Sequence, residues 1–206
     1  MLPDTLFALV AEVQPGIYLS TDGARTWQLT DGNWAEFPQS FGWSDSGFYF
    51  DHDQGEVIYV GGGRVSDIIR SSDGGQTWGL CGDGDYSEMW LSTLNARLAV
   101  DPRDSDRLLA GGSTALVSED GCQTWKPSNN GLGDYFVNAI TYDLKNREIV
   151  YAGTNSGAYI SFDSGAHWSP INDGLLGGTV IYSIVVDEES NVYAATPLGI
   201  FQLTNQ

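Results

Sequence analysis

The strongest constraint on the fold of this chain is an eight-residue pattern, Ser-x-Asp-x-Gly-x-Thr-Trp, which occurs four times with small departures in 206 residues. The copies occupy residues 20–27, 71–78, 118–125 and 161–168. Successive leading serines are 51, 47 and 43 residues apart. Self-similarity at a period of this size indicates repeated supersecondary units. We therefore expect an array of similar small elements.

Each copy has the chemistry of a hairpin turn. The Ser and Asp side chains can form hydrogen bonds with nearby backbone groups, and glycine permits the positive φ that a tight turn requires. The tryptophan then begins the return strand as a large apolar anchor. Ala24 and Cys122 replace the second glycine and His167 replaces the threonine, so these two positions tolerate other side chains.

The octapeptide resembles the Asp-box, or bacterial neuraminidase repeat, of sialidases, xyloglucan-degrading enzymes, sortilin-like receptors and photosystem assembly factors. The resemblance implies a β-propeller, and it implies that the octapeptide is a turn on the rim of a blade, away from the functional face. The residues to which it assigns this structural role are Ser20, Asp22, Trp27, Ser71, Asp73, Trp78, Ser118, Asp120, Trp125, Ser161, Asp163 and Trp168.

Apolar runs of strand length surround the octapeptides and divide the chain into five repeats. Their approximate ranges are 5–30, 46–81, 93–128, 137–170 and 179–204. The three central repeats each contain four strands, A to D, with the octapeptide between C and D. The first repeat lacks strand A and the last lacks strand D. Because no apolar pattern of helical period occurs, we predict an all-β domain over residues 1–206, a β-propeller of about five blades.

The sequence leaves three ways in which the ring can close, because both terminal repeats carry strands B and C. The chain forms a ring of its own with two three-stranded blades, completes a larger ring with a second copy, or is a segment of a longer protein. We favour the five-bladed single chain. An open arc would leave sheet edges and apolar faces exposed, which requires something to cover them.

Composition limits the classes of partner. The chain has 27 acidic and 9 basic residues and a net charge of −18, which argues against nucleic acid and against anionic membrane surfaces. No apolar stretch reaches the length of a membrane span. The first residues show no signal-peptide pattern, and extracellular and cytoplasmic locations both stay open.

Cofactor and metal signals are weak. Cys81 and Cys122 fall in successive repeats at different positions, so we expect free thiols. Asp83-Gly84-Asp85 and the segment 101–106 supply oxygen ligands for a structural Ca²⁺, but neither matches a helical-hand loop. We predict no cofactor and no catalytic metal.

The unusual residues gather in the D–A and B–C connectors, which in an Asp-box propeller lie opposite the octapeptide turns. Aromatic faces and polar groups there suit a sugar or a protein partner, although the aromatic residues also suit packing against a channel or blade edge. The candidate ligand-binding residues are Trp34, Trp43, Arg64, Tyr86, Trp90 and Asn155.

Three hypotheses for function follow. The first is a non-catalytic propeller that binds a protein or glycan on the connector face. The second is a sialidase-like or xyloglucanase-like hydrolase with Asp83, Asp85 or Glu88 as catalytic carboxylates. The sialidase arginine pattern is absent, and xyloglucanases use two large propellers with the cleft between them. The third is a subunit or fragment that completes a larger propeller, including as a homo-oligomer.

Overall fold

The computed structural model describes residues 4–10, 14–32, 47–51, 55–61, 68–81, 97–133 and 136–203. Every regular element in these ranges is a β-strand and none is a helix, so the all-β prediction is confirmed for the described residues. The chain divides into two compact units, Met1–Leu94 and Asn95–Gln206. Each unit is described by itself below.

The first unit contains two antiparallel sheets in which every strand pairs with the next one along the chain. Sheet one has three strands and sheet two has four. Sheet one consists of β1 (Leu6–Val10), β2 (Gly16–Ser20) and β3 (Gln28–Leu29), and sheet two of β4 (Gly47–Phe50), β5 (Ile58–Gly61), β6 (Ile69–Ser71) and β7 (Gly79–Leu80).

The second unit contains three sheets of the same meander type. Sheet three consists of β8 (Arg97–Asp101), β9 (Asp104–Gly111), β10 (Leu116–Ser118) and β11 (Lys126–Pro127). Sheet four consists of β12 (Val137–Tyr142), β13 (Val150–Thr154), β14 (Gly157–Ser161) and β15 (Ser169–Pro170). Sheet five has three strands, β16 (Ser183–Val186), β17 (Val192–Thr196) and β18 (Gly199–Gln202).

The octapeptides join the last two strands of sheets one to four. Positions four and five of each copy have positive φ, even where the residue is not glycine. Ala24 and Cys122 have φ of 69°, and Ser164 has φ of 58°. Two successive residues of positive φ give the twist that a tight hairpin needs. The side chains at these positions are therefore accommodated in a conformation that glycine adopts at lower cost.

The cores lie between successive sheets within each unit. Ile17 of sheet one packs with Ile58, Val60 and Ile69 of sheet two, and Trp78 completes that cluster. In the second unit all five residues of β13 and all five of β14 are buried. Strands covered on both faces lose the alternation of apolar and polar residues. This explains why the inner strands appear in the sequence as continuous apolar runs.

Two of the octapeptide tryptophans, Trp78 and Trp168, reach back to the connector that precedes their own sheets. The Trp168 backbone N–H donates to the Asn130 carbonyl over 2.8 Å, and its indole N–H donates to the Ser128 carbonyl over 2.7 Å. The Trp78 backbone N–H donates to the Asp31 carbonyl over 2.9 Å. Each tryptophan thus fills a sheet-to-sheet core and fastens the incoming connector.

The expectation that the two cysteines are free thiols is wrong. Cys81 and Cys122 are both disulfide-bonded and both almost completely buried. The expectation rested on their places in successive repeats, and sequence spacing does not fix the distance between two Cα atoms.

The contact between Trp168 and the connector before its sheet predicts that glycine-to-alanine substitution destabilises the fold unequally at two similar glycines. Gly131 and Gly174 have φ of +86° and +82°, but a Cβ on Gly131 would meet the Trp168 carbonyl oxygen at 2.2 Å, whereas one on Gly174 would meet nothing within 4 Å. We expect Gly174→Ala to lower the free energy of unfolding by about 1 kcal/mol through backbone strain. Gly131→Ala should lower it by about 2 kcal/mol more, because the connector must move. Urea unfolding of both variants measures the difference, and equal losses would contradict this account of the connector.

Candidate functional site

Most of the ligand-binding and catalytic residues predicted from the sequence lie outside the described residues. These are Trp34, Trp43, Arg64, Asp83, Asp85, Tyr86, Glu88 and Trp90. Their roles therefore stay predictions. Of the predicted set, Asn155 alone falls within the described ranges. It shows which end of sheet four corresponds to the predicted ligand-binding face.

Asn155 is exposed in the two-residue turn between β13 and β14. The Thr154 hydroxyl closes this turn by donating to the Gly157 carbonyl over 2.9 Å, and it accepts the Ser156 backbone N–H over 3.0 Å. The Asn155 backbone N–H donates to the Phe136 carbonyl over 3.0 Å. The backbone of the turn is thus satisfied internally. The Asn155 amide is left at the surface.

Sheet five repeats this turn with the same bonds. The Thr196 hydroxyl donates to the Gly199 carbonyl over 2.9 Å and accepts the Leu198 backbone N–H over 3.0 Å. These two turns and the connector 171–182 lie at the same end of sheets four and five, which we term the connector end. The last part of this connector is bonded to sheet four, because the Asn138 side-chain amide donates to the Ile181 carbonyl over 3.0 Å.

Three large apolar side chains are exposed at the connector end. Leu176, Tyr182 and Leu198 retain 69%, 59% and 62% of their accessible surface. An exposed ring can stack on a sugar or pack against a peptide, and the same end also offers exposed aliphatic side chains and an amide. Sequence reasoning missed these residues because each reads as an ordinary strand or turn residue. The available signal was that Leu176 and Tyr182 flank the Gly177-Gly178 pair of a connector.

The opposite end of the sheets carries the octapeptide turns. The Ser71 hydroxyl donates to Asp73 Oδ1 over 2.8 Å and accepts the Gly75 backbone N–H over 2.8 Å. Asp73 also accepts the Thr77 backbone N–H over 2.9 Å and the Thr77 hydroxyl over 2.6 Å. The same four bonds occur in the copies that begin at Ser20 and Ser118. The carboxylate therefore organises the turn and has little capacity left for a ligand.

His167 takes the place of threonine without loss of this geometry. Its backbone N–H donates to Asp163 Oδ1 over 2.8 Å, and its Nδ1 lies 2.7 Å from Asp163 Oδ2. The remaining bonds of the turn, through Ser161, are kept. His167 thus has a turn-forming contact that explains its presence.

The hydrogen bonds also hold the octapeptide carboxylates in the charged form. Donation by the Thr26 hydroxyl and backbone N–H lowers the pKa of Asp22 to about 2. Burial opposes ionisation at Asp73, Asp120 and Asp163, but donation from the residue four positions later outweighs it and lowers the pKa of each carboxyl. A general acid needs the opposite shift. These carboxylates are structural anions.

A second series of aspartates occupies the first hairpin of sheets two to five, and sequence reasoning did not recognise their shared role in the turns, although it named the segment 101–106 as a source of oxygen ligands. Asp51, Asp101, Asp143 and Asp187 each follow or end the first strand and accept backbone N–H groups of the turn that follows. The turns differ in length, so no fixed motif marks them. In an antiparallel meander these hairpins lie at the octapeptide end.

Asp101 has the most extensive contacts of the series. Its side chain is 1% exposed, and it lies 2.8 Å from an Arg103 guanidinium nitrogen and 3.5 Å from one of Arg107. Burial opposes the charge of Asp101, but donation from Arg103 lowers the pKa of this carboxyl. The Arg107 guanidinium also donates to the Tyr142 hydroxyl over 2.8 Å, and burial raises the pKa of that phenol. Asp101 thus serves two guanidinium groups rather than an open site.

No group of His, Cys, Asp and Glu side chains suited to a metal ion occurs among the residues that the structure describes. The same part of the chain contains no helix long and apolar enough to cross a bilayer.

Known proteins resemble the chain in part of its sequence and in its fold. The chain matches no protein-family model. It is 37% identical over 86 residues to the oligoxyloglucan-reducing end-specific xyloglucanase of Emericella nidulans, over 36% of this chain and 10% of that protein. The GH74 enzyme of Niastella koreensis matches with a TM-score of 0.70 and 17% identity, over 99% of this chain and 34% of that one. YCF48 from Cyanidioschyzon merolae matches with a TM-score of 0.65 and 12% identity, over 97% and 66%.

These likenesses establish the fold at a coarse level. The sheets are those of a β-propeller scaffold of the kind found in glycoside hydrolases. The chain spans one tenth of the length of the xyloglucanase and about one third of the Niastella enzyme. The sequence relative is a glycosidase by name, which agrees with the expectation that any enzymatic activity would be that of a glycosidase.

Loss of one octapeptide carboxylate should cost stability. Asp73→Ala removes the acceptor of the Thr77 backbone and hydroxyl bonds. We expect the free energy of unfolding to fall by about 1–2 kcal/mol. Chemical denaturation measures this loss, with the exposed Glu119→Ala as the matched acidic control. A neutral Asp73→Ala would contradict the structural role of the turn.

Acid should weaken the same turns. A carboxyl whose pKa is lower in the folded state than in the unfolded state stabilises the fold above the unfolded value, and that contribution disappears as pH falls through the folded value. Asp22 shifts from 3.8 to about 2. We therefore expect Tm to fall steeply as pH is lowered from about 4 to about 2. Asp73→Asn should show a shallower slope in calorimetry over that range, and an unchanged slope would argue against these bonds.

Proposed function

We propose that the chain is a carbohydrate-binding β-propeller module that holds a xyloglucan-type glucan at the connector end without cleaving it. The observation that carries the proposal is that Leu176, Tyr182, Leu198 and Asn155 are all exposed at the connector end. A sugar ring has one apolar face and a rim of hydroxyl groups. An exposed phenol ring and a side-chain amide match these two features.

In this proposal the five sheets are five propeller blades and the octapeptides are Asp-boxes on the rim. Three octapeptides share one hydrogen-bond pattern and the fourth keeps it with His167 in place of threonine, which supports the assignment because turn formation accounts for the Ser, Asp and Thr positions of the motif. The connector end lies opposite them. The candidate residues Trp34, Trp43, Arg64, Tyr86 and Trp90, which the sequence assigns to connectors, stay predictions of ligand binding.

A glucan is favoured over a protein ligand by the sequence match to a xyloglucanase. That match is closer in sequence than a likeness in fold such as that of the Niastella enzyme, which is 17% identical. The alternative hypothesis is that the same exposed apolar surface binds a protein. A binding experiment with each kind of ligand distinguishes the two hypotheses.

The carboxylates with shifted pKa values that the structure describes suit turns rather than glycosidic hydrolysis. Those with shifted pKa values are shifted downward by turn hydrogen bonds or by guanidinium groups, as at Asp73 and Asp101. Hydrolysis of a glycosidic bond needs a carboxyl group that stays protonated near neutral pH. The resemblance to xyloglucanases also implies a cleft between two large propellers, and this chain corresponds to about one third of such an enzyme.

The alternative is a xyloglucanase-like hydrolase that uses Asp83, Asp85 or Glu88. The same sequence match supports it. A third alternative is a subunit or fragment that completes a larger propeller by association with other copies. The limited share of the relatives that the chain covers supports it.

Calorimetric titration with xyloglucan oligosaccharides tests the site. We expect the unaltered chain to bind and Tyr182→Ala to weaken binding about tenfold, because a stacking ring contributes on the order of 1 kcal/mol or more. The matched control is Phe162→Ala, which removes a ring of 64% exposure from an octapeptide turn at the other end. Equal effects of the two variants, or no binding at all, would refute the proposed site.

Release of reducing ends tests the hydrolase alternative. We expect no release from xyloglucan above a blank without protein, while the oligosaccharides still bind. Release that is abolished by Asp83→Asn, Asp85→Asn or Glu88→Gln would establish the hydrolase in place of the binding module. Light scattering on the same samples reports whether the chain works as one copy or as several.

A further inference from the structure

We propose that the edge of sheet one formed by β3 binds an extended, basic segment of a partner protein, which adds to the sheet as a further strand. The site lies in the first unit, beside the octapeptide of sheet two. It is separate from the connector end and goes beyond the function proposed above.

The backbone of Leu29 faces away from its own sheet. Leu29 lies opposite Tyr18 in the antiparallel pair of β3 and β2. The Thr30 N–H donates to the Ile17 carbonyl over 3.0 Å, so these two residues form a hydrogen-bonded pair. The next pair along an antiparallel ladder is not hydrogen-bonded. The N–H and carbonyl of Leu29 therefore point to the other side of β3, where sheet one has no further strand among the described residues.

A segment of the chain itself already adds to this side of β3 two residues further on. The Asp31 N–H donates to the Gln76 carbonyl over 3.1 Å, and the Asp31 carbonyl accepts the Trp78 N–H over 2.9 Å. Asp31 and Thr77 thus form a parallel bridge. Alternate residues of a strand direct their backbone groups to the same side, so Leu29 points to the side on which this bridge forms. The edge is therefore able to accept a strand.

A groove of about 500 Å³ lies beside Leu29. One wall comes from sheet one and the other from the octapeptide of sheet two. Its volume falls in the range of about 300–1,000 Å³ that is usual for ligand sites. The residues that line it include Thr21, Gln28, Leu29, Asp31, Asp73 and Gln76.

The groove favours a positively charged ligand. The exposed side chains of Thr21, Gln28 and Asp31 make no hydrogen bond or ion pair with other residues that the structure describes. Each of them has an oxygen that can accept a hydrogen bond. Asp31 and Asp73 bring two carboxylates, and the lining residues in the described ranges include no basic one. A guanidinium group complements this set of acceptors.

Sheets three and four close the corresponding position with proline. The N–H groups that match that of Thr30, each donating to the strand before, belong to Cys81, Ser128 and Ile171. The residues that point outward as Leu29 does are then Leu80, Pro127 and Pro170. Proline has no N–H to offer, which protects a sheet edge from added strands. Sheet one keeps the donor, and the Leu29 side chain is 47% exposed.

Two further observations narrow the site and its occupant. Sheet two also keeps a leucine, Leu80, but the residue that corresponds to Asp31 in its sequence is Gly82, which has no carboxylate. Sheet one is therefore the better site for a basic strand. A second copy of the chain is a poor occupant, because its net charge of −18 would repel the acidic groove. A basic segment of another protein is attracted to it and gains backbone hydrogen bonds on the edge.

Fluorescence anisotropy of a labelled Val-Arg-Val-Arg-Val peptide with the full chain tests the site. Valine favours the extended conformation and arginine supplies the positive charge. We expect saturable binding of this peptide and none of Val-Glu-Val-Glu-Val. Xyloglucan oligosaccharides should not compete, because their proposed site is the connector end.

Two pairs of variants locate the binding. Leu29→Pro removes the outward N–H and should abolish binding, whereas Leu80→Pro makes the same change on sheet two and should leave binding unchanged. Asp31→Asn should weaken binding about fivefold through loss of an ion pair at the surface. Its matched control is Glu188→Gln, which removes an exposed acid from the second unit and should have no effect.

Circular dichroism and Tm identify a variant that fails to fold. In that case N-methylated peptides are measured with the unaltered chain. Methylation of the valine N–H groups and of the arginine N–H groups should differ, because an added strand directs only one of these alternate sets at the sheet. Absence of binding, equal binding of the glutamate peptide, or equal effects within either pair of variants would overturn the proposal. A dimer in light scattering that Leu29→Pro abolishes would overturn it in favour of a second copy.

Discussion

The backward contact of the octapeptide tryptophan is the interaction on which the arrangement of successive sheets depends. A tight turn alone would give an isolated hairpin, which is marginally stable in water. Trp168 links its own turn to the connector before it, through the carbonyl groups of Asn130 and Ser128, and its ring enters the core between sheets three and four. Trp78 does the same between sheets one and two. The local turn thereby becomes a contact between repeats.

The two ends of the sheets divide the chemistry of the chain. Within an individual sheet, one end carries carboxylates whose hydrogen-bonding capacity is used within turns, as Asp73 does in sheet two and Asp101 in sheet three. The connector end keeps its backbone groups paired and leaves side chains such as Asn155 and Tyr182 exposed. Recognition at the connector end therefore need not disturb the turns that hold the sheets. A site can vary in its connectors while the scaffold stays the same.

Sequence reasoning predicted the strands well where a local rule governs them. The octapeptide specifies its turn through side chains only a few residues apart, and the buried strands follow from continuous apolar runs such as 57–60.

The disulfide state of Cys81 and Cys122 was missed because a pairing depends on distances that sequence spacing does not contain. The shared turn-forming role of the aspartates at 51, 101, 143 and 187 was missed because their turns vary in length. Exposure of Tyr182 depends on what packs beside it, which one sequence does not state. The residues on which the predicted ligand surface chiefly rests lie outside the described ranges.

The bonds of each octapeptide have a consequence for how such a chain can change in length. Ser71, Asp73 and Thr77 satisfy one another inside eight residues, and the tryptophan that follows needs only the connector immediately before it. A duplicated repeat of this kind contains its own turn and tryptophan. It requires only the preceding repeat, which is already present, as a partner. Gain of a whole repeat then needs no compensating substitutions at distant positions.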